Sequence, residues 1–262
     1  MMLPHHQAAV ARVTAYFADQ TEVLGLLLGG SVAHGFARPN SDIDILIIVT
    51  PESYAQRVAA QQLQFFTRDL CEYPDGYVDG KYLSPIFLQQ VAERGSEPAR
   101  FAFRDSHVLI DRMGNMADQV AQIAAYPEQG RIERIKRFHA QFLAWSWYLG
   151  EAHKHSNRYL QQVASSKMIL FGCRMILAEQ RLLYPYHKWM LRVLEQVPDL
   201  PPGLLSVIDQ LSHDPAIESA QHLHDLVLGY RPWELDSIPW PNRFMRDSEL
   251  NWMDGESPID DL

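Results

Sequence analysis

Residues Leu26–Val49 read LLLGGSVAHGFARPNSDIDILIIV, and this stretch decides the fold. Two apolar, strand-like runs, Val23–Leu28 and Asp42–Val49, enclose a glycine-serine turn and a polar loop. Side chains two residues apart on a strand share a face, so Asp42 and Asp44 stand side by side while Ile43 and Ile45 enter the core. Two like charges held that close repel unless a cation sits between them. Rigid hard-oxygen donors with other positions left for water or phosphate suit Mg²⁺. Read alone, the pair serves equally well as an acidic guard against sheet pairing at a strand edge.

The preceding turn shifts that balance. Gly29-Gly30-Ser31 follows a strand and opens a helical segment, Val32–Phe36. Glycine lets backbone approach a phosphate, and the first N–H groups of a helix point at an anion. Ser31 adds a hydroxyl, which also suits it as an ordinary N-cap. His34 lies in the same loop, either lining a nucleotide pocket or exposed to solvent. A phosphate cradle eleven residues before a carboxylate pair is what metal-assisted phosphoryl or nucleotidyl transfer needs.

Outward from this centre, the first half alternates strands and helices. A helix is expected over 7–18, another from Pro51 to about Cys71, and a third opening at Ser84-Pro85 with Ser84 as N-cap. Tyr77–Leu83 and His107–Ile110 read as further strands. Beyond residue 115 only helical patterns remain, roughly 128–155, 158–184, 187–197, 202–212 and 216–229. The expected fold class is therefore α+β: a short mixed sheet with flanking helices over residues 1–115, then an all-α bundle over 116–230. Residues 231–262, with three Trp and many acids, are unassigned; they either drape over the bundle or leave their last ten residues disordered.

Gly30-Ser31, Gly35 and Ser41-Asp42-x-Asp44, in that order, resemble the signature of the polymerase-β-like nucleotidyltransferase superfamily. The two-part architecture is similar to its small-molecule branch, such as the aminoglycoside and lincosamide nucleotidyltransferases. The resemblance implies that Ser31 contacts the triphosphate, that Asp42 and Asp44 ligate the metals, and that Ser41 steadies the phosphate or the first carboxylate. It also implies a third carboxylate on a neighbouring strand, as metal ligand or general base. Asp79 in Tyr77–Leu83 is the best match; Glu72, Asp75 and Asp105 are rivals, and Lys81 shares its face. Asp79 reads equally as a polar residue on an edge strand.

The implied reaction moves a nucleoside monophosphate, AMP from ATP or another nucleoside triphosphate, onto the hydroxyl of a small molecule and releases pyrophosphate. Two Mg²⁺ ions would serve during turnover, and the site is expected in a cleft between the two parts. Alternatives are a catalytically silent nucleotide-binding or regulatory module, and a transferase acting on protein or RNA.

Charge bears on these choices. The chain has 262 residues, with 23 Lys+Arg against 32 Asp+Glu, a formal net charge of −9. An acidic total argues against a protein that coats nucleic acid or an anionic membrane. It is an average over unlike parts: residues 131–192 carry eleven basic and three acidic residues, while 193–262 carry three and fourteen. In the basic part Lys167, Arg174 and Arg181 recur every seven residues, which keeps them on one helix face. With Lys188 they are expected to neutralise triphosphate, or else to form a solvated face paired with the acidic C-terminal helices. Trp145, Trp147 and Tyr148 are expected in a core. Cys71 and Cys173 lack metal spacing, sit in apolar helical contexts and are expected to be buried free thiols in a reduced, cytoplasmic protein. The longest apolar runs are too short to span a bilayer. A homodimer is allowed for.

Overall fold

The structure is a computed structural model that describes residues 2–235 and 237–255. The chain divides into two compact units, Met1–Ala125 and Tyr126–Leu262.

The first unit is a five-stranded mixed sheet: β1 (Val23–Leu28), β2 (Ile43–Val49), β3 (Gln64–Thr67), β4 (Val78–Leu83) and β5 (His107–Asp111). Their spatial order is β3-β4-β2-β1-β5. Only β2 and β4 run parallel; the other neighbours are antiparallel. The two central strands are apolar on both faces because helices cover both. On one face Leu26, Leu28, Ile43, Ile45 and Ile47 pack with Ala9, Val13 and Phe17 of α1 (Pro4–Ala18). On the other, Leu27, Ile48 and Leu83 pack with α4 (Pro85–Arg94) and α6 (Met116–Ala124). A four-residue helix α2 (Gly30–Ala33), α3 (Pro51–Ala59) and α5 (Glu97–Phe101) complete the unit.

Local chemistry explains most boundaries. Thr50 Oγ1 accepts the N–H of Ser53 (3.3 Å) ahead of Pro51 to start α3, and Ser84 Oγ accepts the N–H of Phe87 (3.2 Å) ahead of Pro85 to start α4. The helix expected to reach Cys71 stops instead at Ala59. Gln61 turns left-handed (φ 57°), and the N–H groups of Gln61 and Gln62 donate back to Val58 and Arg57. That is a Schellman stop without its usual glycine. The released chain forms β3, and Cys71 lies half-buried in the following loop, not in a helix.

α6 belongs to the first unit, so the units part ten residues later than the sequence boundary at 115. Its apolar face, Met116, Val120 and Ile123, is buried against the sheet. The change from strand to helix texture marks the last layer of this unit, not its end.

The second unit is helical throughout its described residues: α7 (Arg131–Lys154), α8 (Arg158–Glu179), a 3-10 turn at His187–Trp189, α9 (Met190–Leu194), α10 (Leu204–His213), α11 (Ile217–Leu228) and α12 (Trp240–Ser248). α8 is apolar nearly all round and forms the centre, with every residue from Met168 to Ala178 buried. In the tail, α12 packs on α7: Arg137 pairs with Asp247 (2.8 Å), and Gln141 Nε2 donates to Ser248 Oγ (2.6 Å). Of the tail's last ten residues, 256–262 lie outside the described residues. Trp147, expected in a core, is 53% exposed. Among the described residues, no helix is long and apolar enough to cross a membrane.

Candidate active site

The glycine-serine turn is built against β2. Gly29 donates its N–H to the Asp44 carbonyl (2.9 Å), stitching the end of β1 to the carboxylate-bearing strand. Gly30 then adopts φ +61°, and a β-carbon there would overlap the Asp44 carboxylate. Left-handed backbone and close approach both demand glycine at this position. Ser31 is 6% exposed, and its Oγ makes no hydrogen bond among the described residues. Leaving a buried hydroxyl unpaired costs about 1–3 kcal/mol, so this atom is suited to a ligand oxygen.

The acids are set by a tied turn and by strand register. Ser41 Oγ accepts the N–H of Arg38 (2.9 Å), its N–H donates to the Arg38 carbonyl (3.0 Å), and its carbonyl accepts from the Tyr73 hydroxyl (2.7 Å). His5 Nε2 lies 2.8 Å from the Pro39 carbonyl on the same turn. Ser41 thus fixes where β2 begins, which places Asp42 directly before it. Ile43 donates its N–H to the Tyr77 carbonyl (2.9 Å), and from there β2 and β4 run parallel with Asp44 opposite Asp79. Paired residues share a face, so Asp44 and Asp79 project together.

Two side chains absent from the sequence reading complete the group. Gln64 of β3 donates from Nε2 to Asp79 Oδ1 (2.8 Å). The phenol of Tyr77 is pushed above its ordinary pKa, first by hydrogen bonding to Asp42 and then by the charges of Asp42, Asp44 and Asp79. That hydroxyl therefore sits in the negative field of all three carboxylates, Asp42 first. Gln64 was hidden because β3 was read as helix, although the aromatic and β-branched run Phe65-Phe66-Thr67 is a strand signal.

Among the described residues, no three His, Cys, Asp or Glu side chains form a closed metal-binding group. Mg²⁺ needs less, taking one or two carboxylates and filling its other positions with water and substrate phosphates. Asp42 and Asp44, with the orphaned Ser31 hydroxyl next to the glycine that abuts Asp44, fit that demand.

The other nominated residues have separate duties. The side chain of His34 is 3% exposed, with its ring 4.5 Å from that of Phe101 and Nδ1 3.2 Å from Asp105 Oδ2. Burial pushes its pKa down, opposed by Asp105. His34 is thus not an exposed loop residue, and it engages Asp105, one of the rival acids. Glu72 pairs with Arg12 (3.0 Å), and Asp75 is an exposed turn residue with φ +61°. Lys81 is exposed on the Asp79 face, opposite Gln64.

In the second unit the basic residues part company. Arg174 is 1% exposed, its guanidinium 4.2 and 4.5 Å from the ring centroids of Phe138 and Tyr184. The expectation that it meets a triphosphate gives way to a packing role. Arg181 falls beyond the end of α8 with φ +55°, and both its Nε and Nη2 donate to Glu128. The seven-residue stripe therefore ends before it. Lys167 is half-buried on α8, and Lys188 is exposed in the 3-10 turn with Nζ 5.0 Å from the Trp189 ring.

Comparison with known proteins bears on this geometry. Residues 12–93 match the family model of the nucleotidyltransferase domain, and residues 96–190 match that of a domain of unknown function, DUF4037. No curated protein matches the chain significantly. A nucleotidyltransferase-like protein from Exiguobacterium sibiricum 255-15, solved by crystallography, aligns over 95% of this chain and 80% of its own with 12% identity and a TM-score of 0.47. The cradle and all three carboxylates fall inside the matched residues 12–93, so the first unit holds a nucleotidyltransferase domain of the polymerase-β-like superfamily and the chain is a transferase.

Proposed function

We propose that the protein transfers a nucleoside monophosphate, AMP from ATP, to the hydroxyl of a small molecule in a Mg²⁺-dependent reaction. The observation that carries this reading is the pairing of Asp44 with Asp79 on one face, with Asp42 at the strand start and the Gly30–Ser31 turn against Asp44. Ser31 and the N–H groups of its turn bind the triphosphate. Asp42 and Asp44 hold Mg²⁺, which when bound offsets phosphate charge and eases ionisation of the acceptor hydroxyl. Asp79, steadied by Gln64, takes the acceptor's proton as its oxygen attacks the α-phosphorus. The new O–P bond forms as the bond to the β-phosphate oxygen breaks, and pyrophosphate leaves. The net charge of −9 favours a small acceptor over nucleic acid, and two free thiols suit a reducing, cytoplasmic setting.

The test is thermal melting of the full chain with Mg²⁺ and each of ATP, GTP, CTP and UTP. At a hundredfold excess over its dissociation constant, a ligand stabilises by about 2.7 kcal/mol, a rise of roughly 5–10 °C for a chain of this size. ATP should give the largest rise, and the Asp42→Asn, Asp44→Asn double variant should lose it. Asp44→Asn alone should retain the fold and release no pyrophosphate. Stabilisation by no triphosphate, or full turnover by Asp44→Asn, would overturn the proposal.

A further inference from the structure

The strand missing from the sequence reading brings one aromatic ring, Phe66, against that of Tyr77 beside the carboxylates. Phe66 of β3 pairs in register with Asp79, so its side chain shares that acid's face. It is 54% exposed, so much of its ring is open to a ligand. Its ring lies 5.3 Å from that of Tyr77, tilted by 35°. The guanidinium of Arg68 stands 6.0 Å from the Phe66 ring and 5.6 Å from the Tyr77 ring. Gln64, on the same strand face, holds Asp79.

Sheet order gives this platform its meaning. Across the strands the sequence is cradle at the end of β1, Asp44 on β2, Asp79 on β4, then the rings on β3 and just before β4. At about 4.8 Å per strand the whole row spans roughly 14 Å. Phosphoryl transfer places nucleophile and leaving group roughly in line on opposite sides of the reacting phosphorus. If pyrophosphate leaves on the cradle side, the acceptor enters from the β4–β3 side, where the rings stand. The geometry points to an acceptor that carries a planar ring stacked on Phe66 and Tyr77, with an anionic substituent turned to Arg68. This inference rests on the proposed transfer reaction, and it names a substrate class opposite in charge to a polycationic aminoglycoside.

The test uses the full chain with Mg²⁺ and α,β-methylene-ATP, which cannot react. Three probes each carry a primary hydroxyl: 4-(hydroxymethyl)benzoate, its saturated counterpart 4-(hydroxymethyl)cyclohexanecarboxylate, and the neutral 4-methylbenzyl alcohol. Binding is followed by saturation-transfer NMR titration. The benzoate should bind at least about fivefold more tightly than the saturated acid, the lower end of what stacking on an aromatic side chain contributes. Phe66→Ala should weaken the benzoate by a similar factor, Phe66→Tyr should restore it, and Arg68→Gln should weaken the benzoate but not the neutral alcohol. Because Phe66 is exposed, its alanine variant should melt with the parent and keep the stabilisation by the ATP analogue. Unchanged benzoate binding in Phe66→Ala, or equal binding of the ring and its saturated form, would overturn the platform while nucleotide stabilisation leaves the transferase reading standing. Loss of nucleotide stabilisation in the parent chain would instead remove both.

Discussion

Gly30 is the residue on which cradle and carboxylates depend together. Its left-handed backbone turns the chain toward Ser31, and its missing side chain makes room for Asp44. Gly30→Ala must either displace Asp44 or flatten the turn, because alanine disfavours this φ by roughly 1–2 kcal/mol and its methyl group overlaps the carboxylate. We expect the variant to fold, to lose most of its stabilisation by ATP and Mg²⁺, and to lose at least tenfold in pyrophosphate release. Undiminished nucleotide stabilisation would show that Asp44 does not need its present position. Such residues were legible in the sequence because their requirement is local: a glycine between a strand and a serine, and two acids at a spacing of two. Tyr77 and Gln64 were not, since their roles come from strands that meet across the sheet.

Helix ends account for much of what the sequence concealed at the scale of elements. α3, α7 and α8 all stop in Schellman turns whose left-handed residues are Gln61, Ser156 and Arg181. In each, the next residue's N–H reaches back five residues: Gln62 to Arg57, Asn157 to Ala152, Leu182 to Leu177. Without glycine there was no mark by which to stop the first helix, and β3 disappeared into it. The same gap let Arg181 be counted on the face of α8. By contrast Pro51, Pro85 and Ser84 announced helix starts that the structure keeps. Gln61→Gly should relieve the strained backbone and stabilise the chain by about 1 kcal/mol, a rise of roughly 2–4 °C in melting temperature. An unchanged or lower melting temperature would mean that Gln61 is not strained as its φ implies.

Across the whole molecule, buried imidazoles tie stability to pH. Burial is the leading cause that lowers the pKa of His6, His34 and His139 below the ordinary 6.5. The folded chain therefore keeps these rings neutral, while the unfolded chain takes up protons near pH 6.5. Their contribution is fully present above that pH and is lost as pH falls through the lower folded values. Asp111 acts in a lower window. Hydrogen bonds from the N–H of Met116, then of Gly114 and Met113, hold its carboxyl below 3.8 against the opposing effect of burial, so its contribution fades only below that value. Melting at pH 5.5 should come earlier than at pH 7.5, and His6→Phe, in a site 0% exposed beside the rings of His5 and Tyr73, should narrow the difference. A melting temperature independent of pH across that interval would contradict this account. The two-part architecture was legible at this scale from the loss of strand signal. The position of the break was not, because α6 looks like a bundle helix until its apolar face meets the sheet.

The parallel pairing of β2 with β4 also makes the acids guardians of alignment. No hairpin turn measures off this pair; the crossover between them contains α3 and β3. If β4 slid by one residue against β2, Asp79 and Lys81 would point into the apolar layer under α1, where Val78, Gly80 and Tyr82 now lie against Ile45 and Ile47. Burying two unpaired charges would cost several kcal/mol, which makes the slipped sheet uncompetitive. Asp79 and its neighbour Lys81 thus act as topological pins; replacing them with apolar residues would loosen the choice among alternative sheets, and the loss of Asp79 would silence the reaction as well.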